Sequence, residues 1–288
     1  MALLQWSDVR GLWHMNGPTA SLLEVGQVTG LSPTIFSLQK PSLQTAPSKD
    51  ISGLFLNADS GYRASYGRYY TNATSATNIL STDSVAGYKE VWDGGGTPLI
   101  DFSYAFVFRD ISTGTGSSPG RILMSKPSTD TGAANAGNQL SMDDGGTADK
   151  FAWRCFAADG VADIASILNV PKNKWIIGYV IKADGVASKL GLKVKGETSW
   201  TTAVSPGSIT VDYDTTKDAA LMGQVNTSTG ALENPFWGDL QGFCVWGAAI
   251  TEATMQSSVE DHFGMADDII AGFGKGSDET LGSGRGIL

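Results

Sequence analysis

Side chains able to do chemistry are few and scattered in this 288-residue chain. There are two histidines, His14 and His262, so neither a Ser-His-Asp relay nor a histidine-rich zinc site is expected. The two cysteines, Cys155 and Cys244, lack Cys-x-x-Cys spacing. Both sit in aromatic, strand-like runs (FAWRCF and GFCVW), which predicts buried free thiols. Hydrolysis by paired carboxylates needs an acid and a base or nucleophile ~5–10 Å apart. Asp101 and Asp110 stand only at the ends of the run DFSYAFVFRDI. Asp212 and Asp214 alternate in VDYDTTKD, among Thr and Lys that suit a solvated loop edge. The expectation is a protein that is not an enzyme.

Binding chemistry has more to work with. Asp143 and Asp144, followed by two glycines, offer hard oxygen ligands in a flexible loop, as does Asp93 with its glycines. That chemistry suits Ca²⁺, although Asp and Gly serve an ordinary turn equally well. No EF-hand spacing is present, so no cofactor is expected beyond this weak calcium option. Trp200, Trp237 and Trp92 lie near loops, where an indole could stack on a pyranose ring beside Asn, Asp or Gln hydrogen bonds. Packing is the competing role for each. Trp153, Trp175 and Trp246 fall inside strand patterns and are expected in the core.

The formal charge of −9 repels phosphate backbones, so nucleic acid is not an expected partner. No apolar run approaches the ~20 residues of a membrane span. The opening MALLQWSDVRGLW has no basic n-region and no long apolar stretch, so no export signal is expected. At 41% hydrophobic residues the chain can bury a substantial core without metal or disulfide.

The elements around these residues read as strands. Thirty-six glycines and many Ser, Thr, Asn and Asp imply frequent turns. In DFSYAFVFRDI, Phe102, Tyr104, Phe106 and Phe108 fall on one face and Ser103, Ala105, Val107 and Arg109 on the other. RILMSK, after a glycine-rich loop, reads as its partner strand. SMDDGGTADK turns into FAWRCFA. DIASILNV fits a strand or a short helix. KWIIGYVIKADG and SKLGLKVKGETSW supply two more strands, the second with Leu190, Leu192 and Val194 alternating against lysines. One helix is predicted after Trp246. Thr251 caps it, Glu252 favours its N-terminal end, Met255, Val259 and Phe263 line one face, and Gly264 ends it. Ile250 is placed to staple onto Met255. Many short strands with polar turns mean a sandwich or barrel.

The order of these pieces resembles the laminin-G-like / concanavalin A-like jelly roll over roughly residues 50–263. The match is carried by LFLNADSGYRASYG, by DFSYAFVFRDI with RILMSK, by NKWIIGYVIKADGVASKLGLKVKGE, and by DAALMGQVN with FWGDLQGFCVWGAAITEATM. The last segment is the most specific: Gly223 ends a strand, Gly238 precedes Leu240, Phe243, Val245 and Trp246 follow as core positions, and Ala249-Ile250-Thr251 leads into a helix. Gln241 stands where the family often has Asp, and Thr254 near the place of its usual Glu. The resemblance implies an all-β, two-sheet antiparallel jelly-roll sandwich with a short C-terminal helix. It also implies an organisation of 1–49 as an N-terminal arm, 50–264 as the jelly roll and 265–288 as a Gly-rich C-terminal arm. Glycosidases of this class carry Glu-x-Asp-x-x-Glu on one strand, and that pattern does not occur here.

The function expected from the resemblance is structural. Apolar residues scattered along the tail (Ile269, Ile270, Phe273, Leu281, Ile287 and Leu288) suit an arm that docks on a neighbour. By analogy of fold, the chain is expected in a phage virion, as capsid decoration, fibre or tail-associated protein, with copies of itself or other virion proteins as partners. The alternative is a carbohydrate-binding adhesin for host glycans, calcium-dependent or not. Fold alone does not choose between them.

Overall fold

The structure is a computed structural model. It describes residues 9–14, 70–72, 80–81, 99–111, 121–128, 137–143, 149–194, 197–214, 217, 219–221, 223–226, 232–234 and 236–262. The strands are β1 (Val9–His14), β2 (Tyr70–Asn72), β3 (Leu80–Ser81), β4 (Phe102–Asp110), β5 (Arg121–Pro127), β6 (Gly137–Asp143), β7 (Lys150–Phe156) and β8 (Ala162–Leu168). They continue with β9 (Ile176–Lys182), β10 (Lys189–Val194), β11 (Thr201–Val204), β12 (Ala220–Leu221), β13 (Gln224–Val225), β14 (Leu232–Glu233) and β15 (Gly238–Trp246). The helix α1 spans Glu252–His262.

Two antiparallel sheets face each other, as expected of a jelly-roll sandwich. The seven-stranded sheet runs β1-β15-β4-β9-β10-β11, with β2 also paired to β15. The six-stranded sheet runs β3-β12-β5-β6-β7-β8, and β13 and β14 form a separate ribbon. Alternation decides what faces inward. Phe102, Tyr104, Phe106 and Phe108 of β4 enter the main core with Leu140, Phe151, Trp153, Leu190, Leu192, Phe243 and Val245. Rings interlock there: Phe102 and Tyr104 stack at 4.6 Å, and Trp153 meets Tyr104 edge-on at 5.5 Å.

The seven-stranded sheet is also covered on its outer face. Ala105, Val107, Trp175, Ile177, Tyr179, Cys244 and Trp246 form a second apolar cluster with Met255 and Val259 of the helix. This explains why β4 and β9 are buried along their whole length. Trp246 is buried as expected, but beneath the helix, because Val245 takes the inward position. Helix entry follows the predicted chemistry. Thr251 Oγ1 accepts from the Thr254 N–H at 3.4 Å, and Ile250 packs against the same cluster. Ser103, the polar outward residue of β4, donates to Ala248 O and accepts from the Ile250 N–H, tying this connection to the sheet. Phe263 and Gly264 lie outside the described residues.

Two expectations need correcting. RILMSK is not the partner of the strand before it. β4 pairs with β15 and β9, while β5 lies in the opposite sheet beside β6 and β12. Both segments are apolar enough to be buried, and periodicity carries no information on which sheet a strand joins. The ambiguous DIASILNV is a strand, β8, paired with β7 through seven consecutive positions. In addition, β1, from the segment read as an arm, joins the main sheet beside β15. Its register meets β15 at Gly242–Trp246, whereas β2 meets Gly238–Leu240. The change of partner falls at the bulge between Leu240 and Gly242, which makes Gln241 the extra residue.

Candidate binding site

The sequence-predicted site residues do not converge. Trp200 is half-buried just before β11 and tilts against Tyr179 at 5.1 Å, in the cluster under the helix. Trp237 is half-buried just before β15, and its carbonyl accepts from the Ile111 N–H. β15 and β11 are separated by β4, β9 and β10, about 19 Å at ordinary strand spacing. Trp92 and Asp144 lie outside the described residues, as do Ile269, Ile270, Phe273, Leu281, Ile287 and Leu288. Asp143 ends β6 opposite Lys150. Among the described residues no group of three or more His, Cys, Asp or Glu is placed to hold a metal ion.

Among the described residues, a cluster of reactive side-chain types lies at one end of the six-stranded sheet, and its members hold the fold. Lys126 and Asn138 are cross-strand partners, as are Cys155 and Asp163. All four engage the segments around them. Lys126 Nζ donates to the carbonyls of Asp214 and Lys217, and Asn138 Nδ2 to that of Asp212. Asp163 accepts from Ser205 Oγ and from the Gly207 N–H. A Cβ on Gly207 would lie 2.7 Å from Asp163 Oδ1, so only glycine allows this approach. The segment 205–214 is thereby strapped across the end of the sandwich, with Val211 and Tyr213 in the core. Burial pushes the Cys155 thiol up to about 11, so it is protonated near neutral pH and a poor nucleophile. Cys244 is raised well above its ordinary value by burial too.

A second polar group sits where the helix meets the sheet. Glu252 accepts from Lys189 Nζ at 2.9 Å and from the Tyr179 hydroxyl at 2.8 Å. The Lys189 hydrogen bond is the main reason its carboxyl lies below the ordinary range. Gln256 Nε2 donates to the same tyrosine oxygen at 3.0 Å. The carboxylate is committed to docking the helix. A cleft of about 340 Å³ opens elsewhere, between β8 and the β9–β11 side, lined by Ile167, Leu168 and Leu192 together with Asn169, Glu197 and Thr201.

The arrangement best suited to hold a ligand is the outer face of the six-stranded sheet. Leu221, Met124, Leu140, Trp153 and Ala165 form one row across five strands, and all five enter the core. The adjacent row therefore points outward: Ala220, Ser125, Gln139, Arg154, Ile164. On the other side of the core row, Ile122, Ser141, Ala152 and Ser166 also point outward. Burial grades across this face. Gln139 is 5% and Ser141 4% exposed; Arg154, Phe156 and Ser166 are half-buried; Ile164 is 37% exposed. Side chains on this face are buried over β5 and β6 and become exposed toward β8.

Its polar groups differ in what engages them. Ser125 Oγ accepts from the Val225 N–H. The side chains of Gln139, Ser141, Arg154 and Ser166 bond to no other described residue. Arg154 Nε is buried without a hydrogen-bond partner. Arg109 and Arg121 behave differently: Arg109 meets Asp239 at 2.6 Å, and Arg121 meets Asp110 and Asp149, each at 3.2 Å. Arg154 and Ser166, half-buried, are the polar side chains of this face that a ligand could reach, with Gln139 and Ser141 buried beside them. Phe156, two residues beyond Arg154 on the same strand face, brings an aromatic ring alongside. Sequence reasoning missed this site because Gln139, Ser141 and Arg154 are single polar residues in strands that otherwise read as core.

No protein-family model matches the sequence, and no curated protein matches it. Among solved structures, leech intramolecular trans-sialidase is similar at 16% identity and a TM-score of 0.45, covering 66% of this chain. The chain spans only 27% of that enzyme's length. The Ruminococcus gnavus IT-sialidase CBM40, bound to alpha2,3 sialyllactose, is similar at 14% identity and a TM-score of 0.42, over 62% of this chain and 92% of that domain. The botulinum neurotoxin serotype D binding domain gives 10% identity and a TM-score of 0.40, over 67% of this chain and 41% of that one. None of the three is a laminin-G domain or a phage protein, so the narrower family and virion expectations draw no support from them. The chain folds as an antiparallel two-sheet β-sandwich.

Proposed function

We propose that the chain is a carbohydrate-binding module whose six-stranded sheet takes, on its outer face, a glycan bearing a carboxylate. The observation behind this reading is Arg154, a half-buried guanidinium with no carboxylate of its own, in a row with Gln139 and flanked by Ser141 and Ser166. A guanidinium pairs with a carboxylate through two parallel hydrogen bonds, which gives geometry as well as charge. Gln139 and the serines supply the mixed donors and acceptors that sugar hydroxyls need, and Phe156 supplies a ring for the apolar face of a sugar. The buried carboxylates and thiols described above are committed to packing and strapping, and on this reading the module binds its ligand and leaves it unchanged.

The test is a glycan array followed by calorimetry on the full chain. Carboxylated glycans should bind, neutral counterparts more weakly. Arg154→Gln should lower affinity by at least tenfold, and Arg154→Lys should recover only part, because an ammonium lacks the fork. Trp200→Ala and Trp237→Ala should leave affinity unchanged; a loss at either would move the site to that indole. Absence of binding to any glycan on the array would sink the proposal.

A further inference from the structure

The cleft of about 340 Å³ lies where the last strands of the two sheets, β8 and β11, meet. That volume falls at the small end of the ~300–1,000 Å³ typical of ligand pockets. Its depth and its mouth differ in chemistry. Ile176 is 0%, Leu192 and Val170 4%, and Ile167 7% exposed, so the floor is apolar and continuous with the main core. Asn169, Glu197 and Thr201, all exposed, make a polar rim. Backbone bonds fix both walls. On the β8 side, Asn169 takes a left-handed φ of 59°, and the Val170 N–H donates to Asp149 O at 3.1 Å. Asparagine adopts that conformation more readily than most residues. On the β10 side, the Glu197 N–H donates to Val194 O at 3.0 Å, which holds Glu197 close to the end of the strand. Among the described residues lining the cleft, Glu197 is the one with a charged side chain. Its carboxylate bonds to no other described residue.

We infer that this cleft is a second binding site, for a small organic amine: a compact apolar body, such as one ring, carrying an ammonium group. The apolar floor removes the surface of the body from water, at about 25 cal/mol per Å². The Glu197 carboxylate meets the ammonium at the mouth, where both charges stay partly hydrated and the desolvation cost is small. The Thr201 hydroxyl and the Asn169 carboxamide oxygen are acceptors for its remaining N–H groups. Charge selects the ligand. An anion of the same shape would be repelled by Glu197, in a chain whose net charge is already −9. A neutral analogue keeps the apolar contact and lacks the ion pair. The volume limits the occupant to a small molecule. This site is separate from the outer face of the six-stranded sheet, because Ile167 points into the core and Arg154 away from it. The inference does not rest on that face binding a glycan.

The test is calorimetry on the full chain with three probes of similar size: 2-phenylethylamine, 2-phenylethanol and phenylacetate. The amine should bind about fivefold tighter than the alcohol, the scale of a partly exposed ion pair. Phenylacetate should bind weakest of the three. Glu197→Gln should bring the amine to the affinity of the alcohol and leave the alcohol unchanged. Thr201→Trp should weaken amine and alcohol alike, by filling the mouth. Both positions are exposed, and thermal melts of the variants separate a lost site from a folding defect. An amine that does not bind, or binds no tighter than the alcohol, would overturn the inference. So would an amine that keeps its advantage in Glu197→Gln, or one indifferent to Thr201→Trp.

Discussion

Arg154 and Gln139 are cross-strand partners on β7 and β6, point to the same side of the sheet, and neither side chain bonds to another described residue. A protein optimised only for stability would not leave a guanidinium half-buried beside a buried amide with neither paired. Groups kept for binding commonly cost stability. Arg154→Met should therefore leave thermal stability unchanged or raise it by up to ~1 kcal/mol, while binding is lost. Thermal unfolding of the two proteins decides it: a loss of ~2 kcal/mol or more would show Arg154 to be a structural residue.

The glycines of the main sheet test the packing. A Cβ on Gly191 would lie 2.2 Å from the Tyr179 ring, and one on Gly178 2.3 Å from the Phe106 ring. Neither ring can retreat, since Tyr179 is held by Glu252 and Gln256 and Phe106 is packed in the core. Gly191→Ala and Gly178→Ala should each destabilise by about 1–3 kcal/mol. Gly185→Ala tests something different. Nothing lies near it, but its φ of 61° is left-handed, so the cost should be smaller, about 1 kcal/mol. Denaturant titration of the three variants gives the ranking.

Arg109 and Asp239 form a buried pair at 2.6 Å, with the guanidinium 4.9 Å from the Trp175 ring centroid. Asp239→Ala strands a buried charge and should cost about 3–5 kcal/mol. The double change Arg109→Met/Asp239→Leu removes both charges and should cost less than Asp239→Ala alone. A double-mutant cycle by chemical denaturation measures this, and a double variant less stable than the single would contradict it.

Glu252 gives a pH dependence with a defined sign. The Lys189 hydrogen bond, opposed by burial and helped by Tyr179, keeps its folded-state pKa below the ordinary value of 4.5. The unfolded chain therefore takes up the proton first as pH falls. The contribution of Glu252 is complete above 4.5 and is lost as pH drops through the depressed folded value. Melting temperatures of wild type and Glu252→Gln should differ at neutral pH and converge in acid. A gap that stays constant across that range would remove Glu252 from the helix-docking contact.

Strands and their inward faces were legible in the sequence because a strand exposes its pattern locally. Phe102, Tyr104, Phe106 and Phe108 alternate whatever they pair with, and Thr251-Glu252 marks a helix start by backbone chemistry alone. The two-layer architecture followed from the order of such segments. Sheet membership did not, since RILMSK is equally apolar beside β4 or across the core from it. Trp200 looked like a platform because indoles near loops can be one; contact with Tyr179 became visible only once β9 and β11 lay in one sheet. Arg154 was unreadable for the converse reason. A guanidinium in a strand is ordinary until its neighbours are known, and those are Gln139 of β6 and Ile164 of β8, set beside it by the sheet register. The chain's own residues determined its strands, its helix start and its buried thiols, because these depend on neighbours a few residues away. Only the tertiary structure decided which polar groups were satisfied by long-range partners and which were left open, because hydrogen bonding and burial are settled between elements.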